Sequence, residues 1–202
     1  MFQSGEGFLG RRFIRRHLGN SMKNISNKVT KSYHRGWFPE ENKTTLLKII
    51  QEHNIKTVIE IGSFLGASTA FFATHCDHVY AIDPFKKWQE GIKRWYIDEV
   101  DEYFYDQFDF NMKELGVRNR ITAIPSTSID AAGLFPNLKA DLVYIDAIHD
   151  YDNVKRDIKL WKDRASIIVC GDDYDENWTE LKKAVDEVAN VQVDGRVWFI
   201  KK

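Results

Sequence analysis

The sequence predicts a doubly wound α/β fold on a mostly parallel, seven-stranded sheet that closes with an antiparallel hairpin strand. Three observations predict it. From about residue 40 onward, short apolar runs alternate with segments of helical periodicity. The connections between most runs are of helix length, which implies βαβ units and parallel pairing. Near the end, Asp194-Gly195 stands between two alternating apolar runs, a strong local signal for a hairpin.

The elements follow in order. Glu40 to His53 reads as a helix whose apolar face is Leu46, Leu47, Ile49 and Ile50. Thr57 to Ile61 reads as a buried strand, Gly62 to Gly66 as a turn and Ala67 to Thr74 as a second helix. A strand His78 to Ile82 precedes a polar-aromatic segment, 84–118, and then a strand Arg120 to Ile124. A short helix near 129–135 leads to the strand Asp141 to Ile145, the helix Tyr151 to Trp161 and the strand Ser166 to Val169. A last helix, Asn177 to Val188, precedes the hairpin strands Val191 to Val193 and Arg196 to Ile200. Within 84–118, Phe104, Phe108 and Met112 recur at i, i+4, i+8 and are expected in the core, whereas Trp88 and Trp95 are candidates for a lid.

Composition sets the class. The chain has 202 residues, 43% of them hydrophobic, and a net charge of −1. That length suits one domain with a sizeable core, and that apolar fraction excludes wholesale disorder. No run approaches the ~18 apolar residues of a membrane span. Two cysteines, Cys76 and Cys170, cannot build a disulfide framework or a cysteine zinc site, so a reducing, cytoplasmic setting is the expectation. Charge is unevenly spread: residues 1–36 hold eight basic side chains against one acid, so the body 37–202 is acidic. The arm 1–36 carries Leu9, Phe13, Ile14 and Leu18 beside four arginines, the pattern of a short basic amphipathic helix. Membrane-surface contact, nucleic-acid contact, an organelle transit peptide, packing on a second copy as a homodimer and a mobile arm all stay open for it. The acidic body argues against a nucleic-acid groove.

In an open parallel sheet, ligands bind beyond the carboxyl ends of the strands. The residues there are Glu60 to Gly66, Asp83, Pro125 to Ser128, Asp146 to His149 and Gly171 to Asp173. Four of these five segments carry a carboxylate, an accumulation of negative charge along one edge.

Glu60-Ile-Gly62-Ser63-Phe64-Leu-Gly66-Ala67-Ser68-Thr69 is a strand, a glycine turn and a helix start, which suits a nucleotide-like ligand. Asp83 ends the next strand 21 residues after Gly62, where a carboxylate can accept both ribose hydroxyls. A dinucleotide would need a glycine where Phe64 stands, to let the backbone approach a pyrophosphate. A cofactor with ribose and adenine but no phosphates tolerates Phe64, and S-adenosylmethionine is one.

On these residues the chain resembles the class I S-adenosylmethionine-dependent methyltransferases, and most closely the small metal-dependent O-methyltransferases of the catechol-type and macrolide- or sugar-modifying branches. The resemblance spans about residues 40–202 and implies a Rossmann-like fold. Glu60 to Thr69, Ala81-Ile-Asp83-Pro-Phe85, Asp141-Leu-Val-Tyr-Ile-Asp146-Ala-Ile-His149-Asp-Tyr151 and Gly171-Asp172-Asp173-Tyr174 carry it. It implies that Gly62, Ser63 and Ser68 hold the methionyl end, Asp83 the ribose, and Thr127 or Ser128 the adenine edge. Ile124-Pro-Ser126-Thr-Ser128 departs from the family's glycine-containing pattern there.

If the strands ending at Asp146 and Asp172–Asp173 are neighbours, three carboxylates converge and repel unless a cation joins them. Oxygen ligands favour a hard divalent ion such as Mg²⁺. The competing reading has Asp146 capping the Tyr151 helix, and Asp172 and Asp173 capping the last one. His149, three residues past Asp146, suits proton abstraction from a hydroxyl, a base role the resemblance also implies. His75, Cys76 and His78 lie at the opposite edge of the sheet and read as structural. The expected activity is methyl transfer to a hydroxyl of a small sugar-containing or aromatic molecule. The alternatives are a nucleic-acid or protein methyltransferase docking through the arm, and a non-catalytic adenosyl-binding module.

Overall fold

The computed structural model describes residues 37–87 and 103–202. The basic arm, Trp88 and Trp95 lie outside the described residues. Helix α1 (Glu40–His53) leads through Asn54, in the left-handed region at φ 51°, to β1 (Thr57–Ile61). Then follow α2 (Ala67–His75), β2 (His78–Asp83), α3 (Tyr105–Glu114), β3 (Ile121–Pro125), α4 (Ser128–Leu134) and β4 (Ala140–Ile145). The chain continues with α5 (Tyr151–Trp161), β5 (Ala165–Gly171), α6 (Thr179–Asp186), β6 (Gln192–Asp194) and β7 (Val197–Lys201).

The seven strands form one sheet in the order β3-β2-β1-β4-β5-β7-β6. The first five pair in parallel, and β7 runs antiparallel to both β5 and β6. The order therefore reverses between β1 and β4, the place where such sheets bind ligands. Both faces are covered, as an all-parallel centre requires. On one face Val58, Leu142 and Tyr144 pack with Leu46 and Ile50 of α1, Phe72 of α2 and Phe108 and Met112 of α3. On the other, Ile59, Val143 and Val169 pack with Val154, Ile158 and Trp161 of α5 and Leu181 and Val185 of α6. Among the described residues no helix is long and apolar enough to cross a membrane.

Two glycines let the strand tips close up. A Cβ on Gly62 would sit 2.2 Å from the Asp146 carbonyl oxygen, and Gly62 itself has φ 95°. A Cβ on Gly171 would lie 2.5 Å from the Ile145 carbonyl oxygen and 2.6 Å from the Trp198 ring. The β1 turn thus abuts the β4 tip, and the β4 tip abuts the β5 tip. Side chains just beyond these three ends are forced into one region.

Candidate active site

The β1–β2 half carries Glu60 and Asp83. Glu60 is fully buried; Ser63 Oγ donates to its Oε2 at 2.8 Å, and the Thr69 hydroxyl donates to the same oxygen. Burial pushes the Glu60 carboxyl up to about 7, against the opposing pull of the Ser68, Thr69 and Ser63 hydroxyls. Its Oε1 is buried without a well-formed hydrogen bond. Ser68 lies in the first turn of α2, whose N-cap is Gly66 at φ 93° with no side-chain cap. Asp83 accepts the Phe64 N–H at 2.9 Å on one oxygen and the Phe85 N–H at 2.6 Å on the other. Burial raises its carboxyl to about 6, with those two amides working the other way. Asp83 therefore staples the glycine turn to the loop after β2. Phe64 and Phe85 both take positive φ, 45° and 48°, and the Phe64 ring packs edge-on to Phe104.

At the β3 tip, Ser128 opens α4 and donates to Asp157 of α5, a buried acid whose carboxyl burial pushes up. Its proton is committed inside the fold. Thr127 is the α4 N-cap and receives the Asp130 N–H at 3.1 Å.

The β4–β5 half is different in character. Asp146 follows β4 and its amide donates to Ile61 O at 2.9 Å. His149 Nε2 lies 3.2 Å from Asp146 Oδ1, and His149 Nδ1 lies 3.2 Å from Asp173 Oδ2. Asp146, His149 and Asp173 each present a donor atom, and these all lie within 4.8 Å of one another. The Trp178 ring stands edge-to-face with His149 at 4.6 Å. Asp173 sits at φ 60°, a left-handed backbone that turns its carboxylate back over the β5 tip.

Asp172 takes another course. It is 4% exposed, accepts from the Asn42 amide of α1 and receives the Asp173 N–H. Desolvation, then the charges of Asp146 and Asp173, push its carboxyl up to about 8. The sequence grouped Asp172 with Asp146 and Asp173; the structure draws its carboxylate back to Asn42 and puts the His149 ring beside the other two. The capping alternative does not hold. Asp150 caps α5, accepting the Asn153 N–H at 2.8 Å, and α6 has Trp178 as its N-cap with no side-chain bond. Asp146, Asp172 and Asp173 are spent on neither.

Two residues beside these acids escape a sequence reading. Asn42 is 1% exposed, with its Oδ1 buried and unpartnered, and arrives from a helix 130 positions away. Arg196, in the hairpin turn, donates to Asp173 and forms an ion pair with Asp175, its Nε 2.9 Å from Oδ2. The Asp-Gly signal found the turn but not where its next residue reaches. His75 and His78 behave as expected: the first packs on the Phe71 ring and the second bonds Thr122 Oγ1 at 2.9 Å, both away from the acids.

Residues 59–174 match the family described as a methyltransferase domain, which spans the strand tips from Glu60 to Asp173. The chain belongs to that family. Its fold is that of an O-methyltransferase from Bacillus cereus solved with S-adenosylhomocysteine, at 14% identity and TM-score 0.61 over 82% of this chain and 83% of that one. It is similar also to TomG of Streptomyces achromogenes, an O-methyltransferase of tomaymycin synthesis solved with S-adenosylmethionine, at 12% identity, TM-score 0.60 and 82% of each chain. A Geobacter sulfurreducens methyltransferase aligns at 14% identity and TM-score 0.58, over 82% of this chain and 79% of that one. None of the curated proteins matches the chain in sequence.

Proposed function

We propose that the protein transfers the methyl group of S-adenosylmethionine to a hydroxyl of a small sugar-containing or aromatic molecule, with help from a divalent cation such as Mg²⁺. The observation that carries this reading is the convergence of Asp146, His149 and Asp173 against the glycine turn after β1. The β1–β2 half fits the methyl donor. The buried Glu60 Oε1 lacks a well-formed partner, and the uncapped first turn of α2, where Ser68 stands, offers amides to a carboxylate. Gly62 and Ser63 line the same turn. Asp83, fixed by two backbone amides, keeps further lone pairs for ribose hydroxyls. Ser128, whose hydroxyl donates to Asp157, would meet the adenine edge with its oxygen left as an acceptor.

The β4–β5 half fits a hard cation. Asp146 and Asp173 would hold it, with Asp172 behind them on Asn42, leaving four positions of a six-coordinate ion to other oxygen donors. When bound, the ion would lower the pKa of an acceptor hydroxyl and so ease loss of its proton. Asp146 Oδ1, 3.2 Å from Nε2, would orient His149, and the imidazole would take the hydroxyl proton. Trp178 fixes the other face of the ring. Methyl transfer would then depend chiefly on holding donor and acceptor in line.

Methyl transfer from labelled S-adenosylmethionine to a panel of sugars and catechols tests the proposal. Turnover on a hydroxyl acceptor, lost with EDTA and restored by Mg²⁺, is the expected result. Turnover indifferent to EDTA would remove the cation, and transfer to nitrogen acceptors alone would remove the hydroxyl chemistry.

A further inference from the structure

Arg196 lies outside the segments at the parallel strand tips, yet four carboxylates surround it: those of Asp173, Asp172, Asp175 and Glu41. Its guanidinium hydrogen-bonds Asp173 Oδ1, pairs by charge with Asp175 Oδ2 at 2.9 Å, and comes within 4.0 Å of Glu41 on α1. The Arg196 carbonyl receives the Tyr174 N–H at 3.0 Å. The hairpin turn therefore grips the loop after β5 twice, by side chain and by backbone, at the left-handed Asp173 and the two residues that follow it.

This grip divides the two oxygens of Asp173. Oδ1 belongs to Arg196, while Oδ2 faces His149 at 3.2 Å. Only a quarter of the Arg196 side chain is exposed, and only 15% of Asp173. A fully solvated pair would hold nothing in place. A half-buried planar fork spread across two carboxylates fixes the plane of the one at the site.

Charge alone does not explain it. One guanidinium against Asp146, Asp172, Asp173 and Asp175 leaves the cluster short of positive charge, so Arg196 does not do a divalent ion's work. Resting on the metal-assisted reading above, we infer that Arg196 is a positioning residue: by holding Asp173 Oδ1 it presents Asp173 Oδ2 to the cation shared with Asp146.

Removing it has two opposed effects on cation binding. Loss of a nearby positive charge favours the ion, whereas loss of orientation disfavours it. The inference requires orientation to win, as it does for other residues that hold a metal ligand from behind, where loss typically costs ~10–100-fold in affinity. The test is Mn²⁺ binding to the EDTA-stripped full chain, read by electron paramagnetic resonance. S-adenosylhomocysteine affinity and thermal melting serve as controls for folding.

Arg196→Ala should weaken Mn²⁺ binding by about 10-fold or more. Arg196→Lys, which keeps the charge but not the fork, should recover part of that loss. Both variants should keep S-adenosylhomocysteine affinity within about 2-fold, because the cofactor half is built separately. Unchanged or tighter Mn²⁺ binding by Arg196→Ala, with wild type binding normally, would overturn the inference and leave the metal reading intact. Wild-type protein that binds no Mn²⁺ would overturn the metal reading and this inference with it.

Discussion

The two halves of the sheet edge hold their carboxylates in opposite ways. Between β1 and β2, each acid is met by donors of its own neighbourhood: Asp83 by two backbone amides, and Glu60 by hydroxyls from the turn and helix that follow it. Between β4 and β5, the acids face one another across an imidazole and are steadied from afar, by Asn42 of α1 and Arg196 of the hairpin. On the proposed reading, the first half would take a ligand that brings hydroxyls and a zwitterion. The second is under-compensated, and the proposed cation would resolve it. Gly62 joins the two, because its missing side chain lets the β1 turn touch the Asp146 backbone.

The largest effects should come from breaking the second half alone. His149→Ala should cut methyl transfer by about 10²–10⁴-fold, the usual worth of an acid–base group, and Asp173→Ala, which removes a proposed cation ligand, should also cut it severely. S-adenosylhomocysteine affinity, measured by calorimetry, should stay near wild type. Equal loss of both would mean that the halves are not separable. Breaking the seam comes next. Gly62→Ala should destabilise the fold by roughly 3 kcal/mol or more, since backbone atoms of Asp146 and Ala147 cannot yield to a Cβ and φ is positive. Denaturant unfolding would measure it.

The first half has a pH signature of its own. Glu60 is raised from 4.5 to about 7, so the folded chain binds more protons than the unfolded chain between those values. Stability of the ligand-free protein should therefore be full below about pH 4.5 and decline as pH rises through 7. Glu60→Gln should flatten that decline and gain roughly 1–3 kcal/mol at pH 8. A variant whose melting temperature tracks wild type at every pH would show that Glu60 is not the buried acid described. The smallest effect belongs to the opposite edge of the sheet. His75→Gln should shift stability by less than about 0.5 kcal/mol and leave cation binding untouched.

Much of the frame was legible because its signals are local. Periodicity placed α1 at Glu40–His53, β1 at Thr57–Ile61 and α5 at Tyr151–Trp161, and the i, i+4, i+8 spacing placed Phe104, Phe108 and Met112 in the core. Boundaries moved where short-range chemistry intervened. A 3₁₀ turn takes Arg118–Arg120, so β3 begins at Ile121. Asn177 is held in a turn by Asp175, so α6 begins at Thr179. Asp194 pairs with Val197, making Gly195 and Arg196 the hairpin loop rather than Asp194 and Gly195.

That last shift has consequences for the site, because a loop position frees Arg196 to reach Asp173. Asp146, His149 and Asp173 were identifiable from their places after strands. What pulls Asp172 aside was not, since Asn42 meets it only through the packing of α1 on the finished sheet. Contacts across 130 residues leave no periodic trace in a single sequence.

The central claim is that the β4–β5 half binds one divalent cation beside a methyl donor held by the β1–β2 half. Titrating Mg²⁺ into EDTA-stripped protein saturated with S-adenosylhomocysteine, in a calorimeter, tests it most directly. One ion should bind per chain, and Asp146→Asn should abolish the heat while S-adenosylhomocysteine stays bound. Saturation with S-adenosylhomocysteine but no Mg²⁺ uptake, or uptake unaltered in Asp146→Asn, would contradict it.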